Sequence, residues 1–383
     1  MTQGTTMEIF QEHLKDYLRG SKKEKGIILD HICKTTKLTR DTAQKKFKRL
    51  QHRPIEWSDG RGRPQVYSKE VDTALYELWE LSTRLCGELL HPIIGEYIDL
   101  LERNKQWKHS SETTTLLKRM SLGRVKLCIT QWKHKEGVRK GYGSTVSSPL
   151  KRLVPVSTDN WKDKAPGYGQ LDTVVHCGSS LLGDMVYTLN YTDCATSWGH
   201  RRAQWNKGQN NTLESIQSIQ QSLPFPLLGL HPDNGSEFIN WILKDWCDEQ
   251  DIVLERSRSG KKNDNAHVEQ KNGHIVRRFL GYERIDERKC VSILNEYYLI
   301  LDTFLNHFVP VRHCIDKEKL PTGRYKRIYD CARTPYARVL EESSIDQSVK
   351  DRLIQEHEIL DILELQRERV RLEKLLWKTQ KKY

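Results

Sequence analysis

The first third of the chain carries apolar residues at helical spacing, and the middle carries short, β-branched runs. Over residues 22–50, Ile28, Leu29, Ile32 and Cys33 fall on one helical stripe. Leu38 follows a short polar turn, and Thr39 suits the N-cap of a second helix over 40–50, with Ala43, Phe47 and Leu50 facing inward. The pattern predicts a helix-turn-helix within a first domain, 1–56. A second helical block is predicted over 68–134. There Leu75, Leu78, Leu81 and Leu85 space one helix, and Ile93, Ile94, Tyr97, Ile98 and Leu101 space another. Ser111 and Ser121 read as N-caps, and the helix after Ser121 turns Leu122, Val125, Leu127 and Cys128 inward.

Residues 57–67 contain Gly60-Arg61-Gly62-Arg63-Pro64, where Gly and Pro exclude regular structure. A stretch rich in Gly, Ser, Pro and Lys, 135–164, reads as a linker. The texture then changes. Strands are predicted at 170–176, 185–192 and 198–204, a helix at 211–222, and a strand at 227–231. A helix at 237–250, a short strand at 252–255 and a long helix at 265–280 follow. Three meandering strands followed by alternating helices and strands form a mixed α/β sheet, placed in a domain at 165–285. The remainder, 286–383, begins with an apolar helix over 289–309 and continues as a basic, Pro-interrupted stretch to about 336. It ends in a helical tail from 344, whose stripe includes Leu353, Ile354, Ile359, Leu360, Val370, Leu372, Leu375 and Leu376. That tail fits a docking or coiled-coil helix. The fold class is thus multidomain: an α-helical N-terminal region, a mixed α/β domain and a basic, helical C-terminal region.

Charge sharpens this division. The 383 residues carry a net charge of +12, distributed as +10 over 1–150, −1 over 151–300 and +3 over 301–383. A basic module beside a near-neutral one suggests that the first binds a polyanion. No apolar run approaches the ~20 residues needed to cross a bilayer, and the first residues hold no signal-peptide core. The expectation is a cytoplasmic, nucleoid-associated protein with no membrane partner. The nine cysteines are scattered and never spaced as C-x-x-C, so reduced thiols are expected rather than disulfides or a zinc knuckle.

A helix with an apolar inner stripe and a basic, amide-bearing outer face suits the DNA major groove. On the 40–50 helix that face holds Arg40, Gln44, Lys45 and Lys48. Arg61 and Arg63, extended from a flat backbone, resemble an AT-hook core suited to a narrow minor groove. Arg124 and Lys126 occupy the outer face of the last helix of the second block, which is either a second DNA-binding module or a helical spacer. Arg256, Arg258, Lys261 and Lys262 cluster before the 265–280 helix, and Lys271, Arg277 and Arg278 continue along it. These are expected to hold DNA phosphates.

Three acids carry the candidate chemistry. Asp172 sits within the first strand, where Asp is depleted and a partly buried charge needs compensation. Asp233 follows the 227–231 strand, at the strand-to-helix junction where α/β sheets commonly place active-site residues. Glu269 lies one turn into the helix opened by Asn263-Asp264-Asn265. Asp193 reads as a turn acid, Asp264 as a helix cap, and Glu237 either as a neighbour of the site or as a first-turn helix acid. His176, His231 and His267 read as packing or DNA-contact residues rather than metal ligands.

Asp172, the run Asp233-Asn234-Gly235-Ser236-Glu237-Phe238 and the run Asn263-Asp264-Asn265-Ala266-His267-Val268-Glu269-Gln270-Lys271-Asn272 together resemble the integrase catalytic core. More narrowly, they resemble bacterial insertion-sequence transposases with a retroviral-integrase-type domain. Thirty-five residues separate Asp233 from Glu269, the spacing of that family's DD35E signature, and the likeness covers about 165–285. The zinc-binding His/Cys domain of retroviral integrases is missing, which favours a transposase. The resemblance implies a ribonuclease-H-like core in which Asp172, Asp233 and Glu269 are both catalytic and metal-binding. It implies two Mg²⁺ ions, with Mn²⁺ as a substitute, and a Mg-dependent polynucleotidyl transferase. Such an ion pair, about 3.5–4 Å apart, binds both the attacking and the leaving oxygen of a phosphodiester. Water would free a 3′-hydroxyl at the element end, and that hydroxyl would attack target DNA. The implied partners are double-stranded DNA, as terminal inverted repeats and as target, and further copies of the chain, at least a dimer.

Overall fold

The computed structural model describes residues 3–51, 66–133, 164–233, 235–256, 275–320 and 323–380. The segment 60–64 and residues 135–163 of the expected linker lie outside the described residues. The chain divides into two compact units, Met1–Val66 and Tyr67–Tyr383.

The described residues of the first unit form four helices: α1 (Gln3–Glu12), α2 (Leu14–Arg19), α3 (Lys22–Thr36) and α4 (Arg40–Gln51). The helix-turn-helix expected over 22–50 is α3 and α4. Ser21 and Glu24 close a capping box at the start of α3. Lys37, in the left-handed region at φ 57°, ends it. Thr39 Oγ1 accepts from the Thr42 amide, as expected of the N-cap of α4. Two helices that periodicity did not reveal complete the core. Phe10 of α1 packs on Phe47 with ring centres 4.9 Å apart, and Tyr17 of α2 stacks on it at 3.9 Å.

In the second unit, α5 (Lys69–Leu81), α6 (Gly87–Leu90), α7 (Ile94–Arg103), α8 (Ser111–Lys118) and α9 (Leu122–Lys133) form the helical block. Ser110, one position before the residue expected, caps α8 by accepting from the Thr113 amide. Ser121 does cap α9, accepting from the Arg124 amide. Leu127, expected inward, is 51% exposed, because Val125, Cys128 and Ile129 alone occupy the inner stripe. These helices share one hydrophobic core with the C-terminal helices: Leu75, Leu78 and Tyr97 cluster with Leu294, Tyr297, Leu301, Leu372 and Leu376.

A five-stranded mixed sheet follows, ordered β3-β2-β1-β4-β5, from β1 (Tyr168–Val175), β2 (Val186–Asp193), β3 (Gly199–Trp205), β4 (Gly229–Pro232) and β5 (Val253–Leu254). β1–β2 and β2–β3 are antiparallel, whereas β1–β4 and β4–β5 are parallel. α10 (Gln209–Ser222) makes the crossover between β3 and β4. α11 (Trp241–Glu249) begins four residues later than expected, since Asn240 caps it by accepting from the Leu243 amide. Of the expected helix over 265–280, residues 265–274 lie outside the described residues, and α12 (Arg277–Leu280) falls in the rest.

The edge strand β3 is covered by α13 (Cys290–Phe308) through side chains that substitute for a strand partner. Asn306 Oδ1 accepts from the Gly199 amide at 2.9 Å, Asp302 from the Arg201 amide at 2.8 Å and Asn295 from the Ala203 amide at 2.8 Å. The basic stretch contains an unexpected hairpin, β6 (Cys314–Lys319) with β7 (Tyr325–Tyr329). After α14 (Pro335–Glu341), the tail from 344 is two helices rather than one, α15 (Gln347–Ile359) and α16 (Ile362–Gln380). Leu360 is extended, and Asp361 starts α16 by accepting from the Leu363 amide at 2.8 Å. Ile362, Leu372 and Leu376 dock α16 on the core with α13, while Ile359, Val370 and Leu375, expected in the apolar stripe, are exposed. Among the described residues no helix is long and apolar enough to cross a membrane.

Candidate active site

Parallel pairing of β1 with β4 sets the geometry. Gln170 lies opposite His231 and Leu171 opposite Pro232. One residue beyond this last pair comes Asp172, still in β1, and Asp233, the first residue after β4, so two acids distant in sequence follow the same register pair. Neighbouring strands lie about 4.8 Å apart. Both acids are half-buried. Asp172 Oδ1 accepts from the Thr173 amide at 2.8 Å, and Asp233 Oδ1 from the Gly235 amide at 2.8 Å. These backbone donors hold the two carboxylates in place.

Glu237 adds a third carboxylate, 6% exposed, in the turn before α11 and not in a helix. Its Oε1 accepts from Thr173 Oγ1 at 3.0 Å. Its Oε2 is buried with no hydrogen-bond partner among the described residues, and Lys207 Nζ approaches to 4.0 Å. Gly235 makes room for this arrangement. A Cβ there would sit 2.6 Å from Glu237 Oε2 and 2.9 Å from Asp233 Oδ1, so both oxygens converge on one small space. Burial and the Glu237 charge push the nearby Tyr187 hydroxyl up in pKa. The sequence placed Glu237 beside the site only as an alternative and missed Thr173 and Lys207. The remaining signal was the Glu itself, in a run dense with Asp, Asn, Gly and Ser.

The histidines are packing groups. His176, at the end of β1, is fully buried, and its Nε2 pairs with Thr188 Oγ1 at 2.8 Å. Thr188 in turn meets the Tyr298 hydroxyl at 2.7 Å, tying the sheet to α13. Burial, with the Arg277 charge in support, depresses the His176 pKa to about 3. His231 is 1% exposed on β4. Asp193 is the buried turn acid expected. It accepts from the Gly167 amide at 2.8 Å and from the Thr196 amide and hydroxyl at 2.7 Å, and burial raises its pKa to about 6.

The expected DNA contacts divide. Arg40, Gln44, Lys45 and Lys48 are exposed on α4, although Arg40 pairs with Asp30 and Lys45 with Asp41. Arg124 is committed inside the protein: its guanidinium grips Asp72 at 2.7 and 2.9 Å and lies 5.5 Å from the Tyr67 ring centre. Lys126 pairs with Glu88 at 2.6 Å. Arg277, half-buried, donates to the Val175 carbonyl at 2.7 Å, and Arg278, exposed, donates to the Thr83 carbonyl, so each already has a partner within the protein. Arg256 is half-buried just after β5. Glu269, Asp264, His267, Arg61, Arg63, Arg258, Lys261, Lys262 and Lys271 lie outside the described residues.

Asp172, Asp233 and Glu237 carry hard oxygen donors of the type Mg²⁺ takes. Among the described residues, no group of three His, Cys, Asp or Glu is placed to hold a metal by itself.

No protein-family model matches the chain. Over 334 residues, 86% of its length, the chain is 31% identical to the uncharacterized protein y4rM of Sinorhizobium fredii (strain NBRC 101917 / NGR234), covering 93% of that protein. The chain therefore belongs to the y4rM family.

Proposed function

We propose that the protein is a DDE-type transposase that binds the ends of its mobile element, cleaves them and joins them to target DNA. One observation carries this reading: Asp172 and Asp233 are the residues that follow the last register pair of β1 with β4, Leu171 opposite Pro232. The strand order 3-2-1-4-5, with β1–β3 antiparallel and β4–β5 parallel, accords with the ribonuclease-H-like core implied by the resemblance. Asp172, Asp233 and Glu269 would hold two Mg²⁺ ions, which when bound supply charge stabilisation for both attacking and leaving oxygens. The protein's own residues supply position. The Thr173 and Gly235 amides fix the first two carboxylates, and Thr173 anchors Glu237. Arg277 ties α12 to β1 three residues beyond Asp172. The exposed cations of α4 provide the DNA-reading face of the first unit.

The test uses duplex oligonucleotides carrying the inverted repeats that this reading places on either side of the coding sequence. Asp233→Asn is expected to abolish Mg²⁺-dependent nicking while leaving binding nearly intact. Nicking at the wild-type rate by this variant refutes the assignment.

A further inference from the structure

The hairpin β6–β7 segregates its charges by face. Directly paired residues of an antiparallel ribbon share a face. One face takes Lys317 opposite Arg327, Lys319 opposite Tyr325 and Cys314 opposite Tyr329. The other takes Asp316 opposite Ile328 and Glu318 opposite Lys326, and this last pair closes an ion pair at 3.6 Å. Both acids of the ribbon therefore lie on the second face. The first carries Lys317, Lys319 and Arg327 with Tyr325 and Tyr329, 62% and 41% exposed, and no acid. Arg312 extends it, its guanidinium 5.0 Å from the Tyr329 ring centre.

Like charges directly opposite each other destabilise a strand pair, and a two-stranded ribbon is marginal alone. Lys317 and Arg327 bear that repulsion with no ion-pair partner among the described residues. A polyanion laid on this face would relieve it. The geometry points to the Lys317–Lys319–Arg327 face as a contact for the phosphate backbone of duplex DNA. A two-stranded ribbon fits the major groove, about 12 Å wide, with its cations toward the phosphates. The identity of the polyanion rests on the transposase reading; the charge segregation does not.

The experiment measures fluorescence anisotropy of a labelled duplex with the full-length protein between about 50 and 200 mM salt. The combined Lys317→Ala, Lys319→Ala, Arg327→Ala variant should bind at least about tenfold more weakly at 100 mM salt. Its plot of log affinity against log salt should be shallower by about two to three. Lys326→Ala, on the opposite face, should bind close to wild type, and the triple variant should melt no lower than wild type, because its changed side chains are exposed and the Lys317–Arg327 repulsion is removed. Unchanged affinity and slope in the triple variant, with wild-type cleavage intact, overturns this proposal alone. A wild-type protein that binds no duplex, while the triple variant shifts self-association in sedimentation, overturns both readings and makes the face a contact between copies.

Discussion

Thr173 Oγ1 donates a 3.0 Å hydrogen bond to Glu237 Oε1, joining residues 64 positions apart beside the paired acids. The bond leaves Glu237 Oε2 buried and without a hydrogen bond, an arrangement that costs free energy unless something occupies it. Glu237→Gln keeps an acceptor for Thr173 and replaces the free oxygen with an amide. Partners around metal ligands typically contribute 10–100-fold to metal affinity. The half-saturating Mg²⁺ concentration for cleavage should therefore rise by about that factor, with a matching loss in Mn²⁺ binding by electron paramagnetic resonance. Identical metal titrations for variant and wild type would remove Glu237 from the site.

Gly235→Ala tests the same space from the backbone. The added methyl would meet Glu237 Oε2 at 2.6 Å and Asp233 Oδ1 at 2.9 Å, so the carboxylates must move apart. Catalysis is sensitive to displacements of this size, with about 100-fold lost for 1 Å of misplacement. Single-turnover cleavage should fall by at least that factor, while circular dichroism stays native. Wild-type turnover in Gly235→Ala would show that the convergence has no catalytic role.

Buried histidines set the acid limit of stability. His176 and His307 have pKa values depressed to about 3 by burial, and His357, stacked on His307, is lowered in the same sense. For each, the unfolded chain takes up protons first. Their stabilisation is present above about pH 6.5 and is lost as pH falls toward 3. Asp193, raised to about 6, acts oppositely: its folded form keeps a proton that the unfolded form releases, so it loses stability as pH rises from 3.8 to 6. Three groups outweigh one, and urea midpoints should fall between pH 7 and pH 5. A midpoint that rises over that interval contradicts this balance.

Asp302 holds the edge strand through the Arg201 amide at 2.8 Å and pairs with the Arg201 guanidinium, both groups being nearly inaccessible to solvent. Removing one partner of a buried ion pair costs about 3–5 kcal/mol. Asp302→Ala should lower unfolding free energy by that amount in urea titration. A change under about 1 kcal/mol, typical of exposed pairs, would show that α13 is held mainly by its apolar face.

The parts of the fold that could be read from sequence were those set by local pattern. β-branched runs marked β1 and β2, Thr39 and Ser121 marked helix starts, and Asp172 and Asp233 stood out because acids are costly in and beside buried strands. What could not be read depends on partners remote in sequence. Arg124, Arg277 and Arg278 look like free cations until Asp72 and the carbonyls of Val175 and Thr83 are brought to them. Glu237 passed as a helix acid because the Asn240 cap that delays α11 competes with several equally polar neighbours. The hairpin was hidden because its charges interrupt the alternation that marks a strand, and only the register reveals that they sort by face.

The central claim is that Asp172, Asp233 and Glu269 converge on a pair of divalent ions. Anomalous diffraction from crystals of the protein with end DNA and Mn²⁺ measures this directly. Two Mn²⁺ peaks about 3.5–4 Å apart, ligated by these three carboxylates, are the predicted result. Peaks elsewhere, or a Glu269 carboxylate that stays remote from Asp172 and Asp233 with DNA bound, would contradict it.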